Sequence, residues 1–241
     1  MCGSVLVVVS RVPGGVLLSL WKVVIGKMLD LLRPIGDTVL TENAARMKAY
    51  SDPAGKAAAI EYLGTRGIPE SVVDNMEIGL VGEPLPGDER FQGWLSIPYF
   101  NCAGNVVGMR FRNLRPDADP RYSMRGGDHT TLFNLRATMG FGNMHVCEGE
   151  IDTMSLVACG LNAVGVPGVN NWKQRYAGLF DGCRVFVWGD GDTAGDGLYE
   201  SVSENIIDCV RVPVPRGMDV NSVLVEKGRK FLLGLVHGGK E

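Results

Sequence analysis

Histidine is scarce: three residues in 241, with His145 in an apolar run, His129 in a loop-like segment and His237 near the C-terminus. No pairing of a nucleophile with an imidazole base is visible, which argues against hydrolases of that design. The six cysteines (Cys2, Cys102, Cys147, Cys159, Cys183, Cys209) are scattered, and no two have the close spacing of a zinc knuckle or ribbon. Cys147 and Cys209 fall at apolar strand positions and Cys159 at a helix end, so they read as small buried hydrophobes in a reducing cytosol. A charge excess is also missing. The net charge of −3 and pI of about 5.7 exclude a globally basic nucleic-acid binder, so any such binding has to use a local basic patch. There is no internal repeat and no low-complexity tract. The apolar segment 1–32 is broken by Arg11, Pro13, Gly14 and Gly15, and no basic cluster precedes it. This speaks against a signal peptide, and the lack of an uninterrupted run of about 18 apolar residues speaks against a membrane span. Residues 1–37 are read either as a packed strand and helix or as an extension without fixed order that precedes the true start.

What is present is an ordinary soluble composition, 45% hydrophobic and 21% charged, in a chain long enough for one large domain or two small ones. Asp52-Pro53 has the form of an N-cap followed by proline at the first helical position, leading an alanine-rich helix through Leu63. A short helix is expected over 70–76 and an apolar run over 78–81. From Trp94 to Leu114 the pattern becomes a hairpin turning at Asn101 to Asn105, with Gly104 in the turn. Beyond Phe141, strands near His145, over 163–166, 184–188 and 210–214 alternate with helices starting near Asp152, Trp172, Asp196 and Asp219. Such alternation predicts right-handed βαβ units and a mainly parallel sheet.

Acidic residues gather where two of these strands end. Glu148-Gly-Glu-Ile-Asp152 closes one, and Asp190-Gly-Asp192 closes another. If the two strands are parallel neighbours, Glu148, Asp152, Asp190 and Asp192 meet at the edge where open α/β sheets place their ligands. Singly, Asp152, Asp196 and Asp219 read as helix caps, and Asp190 and Asp192 as turn formers. A cap or a turn explains one carboxylate but not a convergent group, and carboxylates packed together repel unless a cation lies among them. Oxygen ligands without His or Cys favour Mg2+ or Mn2+ over zinc. Basic residues gather separately: Arg110 and Arg112 alternate on one strand, so both point to one face, and Arg115, Arg121, Arg125 and Arg136 follow. Guanidinium groups pair phosphate oxygens bidentately, so this segment is a candidate phosphate contact.

The acidic run, with Asp190-Gly-Asp192-Thr-Ala-Gly195, resembles the Toprim signature shared by primases, topoisomerases, recombination mediators and some nucleases. Upstream, Tyr62-Leu-Gly-Thr-Arg66-Gly67-Ile68, Ile97-Pro-Tyr-Phe100, Gly104 through Arg112, and Pro120-Arg121-Tyr122 resemble, in order, the polymerase core of DnaG-type DNA primases. The likeness spans roughly residues 50 to 236. It implies an α/β fold: a Toprim domain over 142–241 with a mainly parallel sheet flanked by helices, preceded by a smaller α+β primase subdomain over 38–141. It further implies template-directed synthesis of short RNA primers on single-stranded DNA from nucleoside triphosphates. Under the resemblance, Glu148 is the general acid/base or metal-organising glutamate, Asp190 and Asp192 the principal ligands of Mg2+ or Mn2+, and Asp152 and Asp219 outer members of the cluster. Arg110, Arg112 and Arg121 become contacts to template or nucleotide, Arg121 standing where the family commonly has lysine. Pro167-Gly168-Val169-Asn170 matches a loop beside the site. Asn221 occupies a position where many relatives carry aspartate, a change expected to weaken a second metal position. A further basic position of the family falls on either Leu135 or Arg136. No N-terminal zinc ribbon or helicase-docking domain is expected, as in some phage primases, so a separate zinc-ribbon protein and a replicative helicase are the implied partners, in a bacterial or phage-infected cytoplasm. A Toprim nuclease and an inactive nucleic-acid-binding scaffold of replication or recombination remain the alternatives.

Overall fold

Asp37 opens a helix, α1 (Asp37–Tyr50), whose inward side is mostly polar: it buries Asn43, Arg46 and Tyr50. Those side chains have partners waiting. The Arg46 Nε pairs with Asp88 Oδ2 at 2.9 Å, the Tyr50 hydroxyl donates to the same oxygen at 2.7 Å, and the Arg125 Nε lies 2.9 Å from Asp88 Oδ1. Asn43 donates to Asp128 Oδ1 at 3.0 Å. Asp88 is fully buried, so the two guanidinium groups are what make its charge tolerable there. Burial first, and then the bond to Asp88, pushes the Tyr50 hydroxyl up to about 12. This computed structural model describes residues 35–125, 128, 131–168, 171–191 and 193–236. The expectations for residues 1–34, His129, Val169, Asn170, Asp192 and His237 lie outside the described residues.

The helix over Pro53–Gly64, α2, starts as its first two residues predict: Asp52 accepts from the Gly55 N–H at 2.7 Å and Pro53 takes the first turn. The short α3 (Glu70–Asn75) follows. Next come β1 (Gly79–Leu80), β2 (Leu95–Phe100), β3 (Val106–Arg112) and β4 (Tyr122–Met124), an antiparallel sheet in the order β1-β2-β3-β4. Leu95 pairs with Arg112 and Ile97 with Arg110 across the hairpin, so both arginines share the face of Leu95, Ile97 and Tyr99. That face packs on α2 and α3; the opposite one, with Met109 and Phe111, packs on Tyr50 of α1 and on Phe91.

The second half is built from β5 (Gly142–Glu148), α4 (Gly149–Ala158), β6 (Ala163–Val166), β7 (Cys183–Trp188), α5 (Thr193–Ser203), β8 (Cys209–Arg211) and α6 (Val220–Val236). Its sheet is parallel with order β6-β5-β7-β8. Period-2 alternation sends Met144, Val146, Val185 and Val187 to one face, against α5 and the 3₁₀ segments 135–139 and 174–180. Cys147, Phe186 and Trp188 go to the other, against α4 and α6. The expected helix near Trp172 is a 3₁₀ segment, Gln174–Phe180, with Trp172 itself donating to Asn205 Oδ1 at 3.3 Å. The helix expected near Asp196 starts at Thr193.

Two features join the sheets. Ile151 and Met154 of α4 are buried in the core cluster of the antiparallel half, and Phe133 bridges to Gly165 of β6 through two backbone bonds, at 2.8 and 3.1 Å. Each such large side chain removed from water contributes about 2 kcal/mol. Among the described residues no helix is long and apolar enough to cross a membrane.

His145 is buried between Phe186 and Trp188, and its Nδ1 accepts from the Trp188 Nε1–H at 2.9 Å. Burial pushes its pKa down to about 4. Between that value and the unfolded value of about 6.5, only the unfolded chain takes up the proton, so stability is lost as pH falls through this window, by up to about 3 kcal/mol. Urea unfolding measured from pH 7 to pH 5 is expected to show that slope, and His145→Gln to remove it. A second variant, Asp88→Ala, removes the buried carboxylate that pairs with buried Arg46 and half-buried Arg125, leaving them only the exposed Glu42, and is expected to cost about 3 kcal/mol in the same assay.

Candidate active site at the carboxyl edge of the parallel sheet

β5 and β7 are adjacent and parallel, with Cys147 opposite Trp188. Glu148 and Asp190 therefore emerge together at the carboxyl ends of their strands, and the Asp190 N–H lies 3.5 Å from Glu148 Oε1. The turn after β7 has to be tight to bring this about. A Cβ on Gly191 would lie 2.1 Å from the Pro215 carbonyl oxygen, and one on Gly195 would lie 2.1 Å from that of Asp190, so only glycine lets these backbones approach. Gly191 exchanges backbone bonds with the segment before Asp219, accepting from Gly217 at 3.0 Å and donating to Met218 at 2.9 Å. This draws the start of α6 to the same edge.

Asp219 caps α6 as its position predicts, accepting from the Ser222 N–H at 2.6 Å. Asp152 does not cap its own helix. α4 begins at Gly149, three residues earlier, because Gly149 takes the positive φ of 70° that turns the chain out of β5. The Asp152 carboxylate instead accepts from the Asn221 N–H of α6 at 2.9 Å. Burial, followed by the negative charges of Asp219 and Asp190, pushes its pKa well above the usual carboxylate range; the Asn221 N–H opposes this, and Glu148 adds to it. Asp152 thus feels three of the other predicted acidic residues, Glu148, Asp190 and Asp219. The fifth, Asp192, lies outside the described residues. Among the described residues, no three His, Cys, Asp or Glu side chains form a group that could hold a metal ion. The described acidic side chains here are all carboxylates, and one of them, Asp152, is held toward its neutral form first by burial and then by its neighbours' charge, a repulsion that a hard divalent cation would relieve.

The arginine strand is tied to the first turn of α4. Arg110 Nη1 pairs with Glu150 Oε1 at 2.7 Å, and the same carboxylate takes a short hydrogen bond from the Tyr99 hydroxyl. Both Arg110 and Arg112 lie against the Tyr122 ring, their guanidinium carbons 4.5 and 5.0 Å from its centroid. Arg112, 8% exposed, is hydrogen-bonded to the hydroxyls of Tyr62 and Tyr122, and among the described residues no carboxylate pairs with it. Arg66 likewise bonds the Tyr62 hydroxyl (2.9 Å) and Asn221 Oδ1 (3.1 Å). Arg121 is exposed, with one bond to the Pro116 carbonyl oxygen at 3.1 Å. The wall therefore carries more guanidinium charge than it neutralises.

Sequence reasoning passed over Glu150, the middle acid of the Glu148-to-Asp152 run, which is fully buried and ties α4 to β2 and β3. It also missed the joints made by Arg66, Tyr62 and Asn221. Nothing local to Glu150 foretold its pairing, because its partners Tyr99 and Arg110 stand 51 and 40 residues away in the chain. Pro167 and Gly168 of the expected neighbouring loop do follow β6 at this edge.

Comparison with known proteins bears on the family and the fold. The Toprim-like family model matches residues 145–224, the span from β5 into α6. The Gene 57 protein of Mycobacterium phage D29 is 36% identical over 149 residues, covering 59% of this chain and 97% of that protein. Among solved structures, the DnaG primase catalytic domain bound to ssDNA superposes with a TM-score of 0.68 at 20% identity, covering 83% of this chain and 78% of that one. The RNA polymerase domain of Mycobacterium tuberculosis primase DnaG gives 0.66 at 21% identity, covering 83% of each. The chain belongs to the family of the Gene 57 protein, and its architecture is that of the Toprim catalytic core of DnaG-type and phage primases.

Proposed function

We propose that the protein is a DNA primase core that joins ribonucleotides on a single-stranded DNA template. The observation that carries this reading is the meeting of Glu148 and Asp190 at one sheet edge, with Asp152 within electrostatic reach of both and of Asp219, and with Arg66 bonded to Asn221, the residue whose N–H holds Asp152. Glu148, Asp190 and Asp192, backed by Asp152 and Asp219, are the residues that would hold Mg2+ or Mn2+, which when bound lowers the pKa of an attacking 3′-hydroxyl and offsets charge on the triphosphate.

The protein's own part is positioning. Arg112 and Arg110, stacked on Tyr122 and held by Tyr62 and Glu150, are largely buried, so they contribute fixed positive charge beneath the surface and would contact a phosphate only at their exposed edges. Arg121, exposed at the start of β4, suits the template backbone. The ssDNA carried by a structure of the same fold supports single-stranded template as the substrate. Binding of this kind follows phosphate count more than base identity, and it weakens with salt. A separate zinc-ribbon protein for template choice and a replicative helicase are the partners proposed with it.

Incubation with single-stranded DNA, labelled ribonucleoside triphosphates and Mg2+ is expected to yield short primers. Asp190→Ala is expected to lower their rate on the order of 100-fold while the melting temperature stays near that of the parent. Cleavage of the DNA without any need for triphosphates would replace this reading with a nuclease, and binding alone would replace it with a scaffold. Arg121→Ala is expected to weaken single-stranded DNA similarly for all sequences and to reduce the slope of log affinity against log salt by about one, measured by fluorescence anisotropy.

A further inference from the structure

Asn221 sits at the second position of α6, 3% exposed, and every polar group of its side chain is engaged. Its Nδ2 donates to the Arg66 carbonyl oxygen and to Ser155 Oγ, both at 2.9 Å. Its Oδ1 accepts from Arg66 Nη1 at 3.1 Å, and its backbone N–H goes to Asp152. Ser155 directs its own proton to the Ile151 carbonyl oxygen at 2.8 Å, so toward Asn221 it can only accept. The two groups facing Nδ2 are thus both acceptors. A carboxylate in that place would set an unprotonated oxygen against them and add a negative charge beside Asp152, which already carries the repulsion of Asp219 and Asp190.

We propose that Asn221 is a positioning residue: its amide, where a carboxylate would fail, clamps the loop after α2 to α4 and α6, and so holds Asp152 at the acidic rim and Arg66 at the basic wall. The position is then no vacant metal ligand. Asp152, one of the carboxylates argued to hold the cation, is oriented from behind by the Asn221 backbone, and that backbone is held still by the amide network. Loss of such an outer partner typically weakens metal affinity by 10-fold to 100-fold.

The proposal rests on the primase reading for its metal arm alone. The metal-free arm stands without it: Asn221→Asp is expected to melt below both the parent and Asn221→Ala in the presence of a chelator, because the carboxylate adds repulsion where alanine only removes bonds. A variant Asn221→Asp as stable as the parent without metal would overturn the clamp. In the metal arm, Mn2+ binding is titrated by electron paramagnetic resonance at a temperature where each variant is folded. Asn221→Asp is expected to bind about 10-fold more weakly than the parent. Tighter binding, or an added equivalent of Mn2+, would overturn the proposal by showing that the position takes metal. If Asn221→Asp does not fold, Ser155→Ala removes one acceptor only, and it is expected to weaken Mn2+ by about threefold; an unchanged affinity there counts against the clamp. A parent protein that binds no Mn2+ defeats the functional reading instead, and the chelator experiment still judges Asn221.

Discussion

The first turn of α4 is the joint on which both halves of the molecule depend. Within it, Glu150 points to the antiparallel sheet and takes the charge of Arg110, while Asp152 points to α6 and takes the N–H of Asn221. From Asn221 the contacts continue through Arg66, Tyr62, Arg112 and the Tyr122 ring back to Arg110. The result is a closed circuit of polar side chains that begins and ends on two carboxylates two residues apart. Its links run from the first turn of α4 through the loop after α2 and the antiparallel sheet, so it fixes one relative placement of the elements that carry the acidic and the basic residues.

Apolar contact supplies the strength behind that placement. Ile151 and Met154, on the same helix as the two carboxylates, are buried with Leu63, Ile97 and Tyr99 of the first half. Helix α4 therefore carries hydrophobic adhesion and ionic alignment at once. A reaction that needs cations and phosphates in fixed register is well served by a site whose two sides cannot slide independently.

Much of this was legible in the sequence. The parallel sheet could be read because its strands alternate with caps and turns that have separate chemical reasons, Asp219 before α6 and the Gly191 turn after β7, and α2 of the first half could be read from Asp52-Pro53 in the same way. The meeting of Glu148 and Asp190 was expected only on the condition that their strands are parallel neighbours, which β5 and β7 are. Helix α1 was not legible, because the residues it buries are Asn43, Arg46 and Tyr50, and hydrophobic spacing is blind to a helix whose Arg46 and Tyr50 are held by a buried aspartate 42 and 38 residues away in the chain. The role of Asp152 was misread for a related reason. A carboxylate near a helix start looks like that helix's cap, and only the packing of α6 against α4 reveals that the N–H it serves belongs elsewhere. Arg110 and Arg112 were correctly placed on one face, but their neighbours Glu150, Tyr62 and Tyr122 come from three other parts of the chain and had no local sign.

The most direct measurement is a crystal structure of the protein soaked in Mn2+, with the ions located by their anomalous scattering. The account predicts a manganese peak in contact with Glu148 and Asp190 on the open side of the β5 and β7 strand ends. A fully soaked crystal with no manganese at that edge, or with its ions bound only elsewhere on the surface, would contradict it.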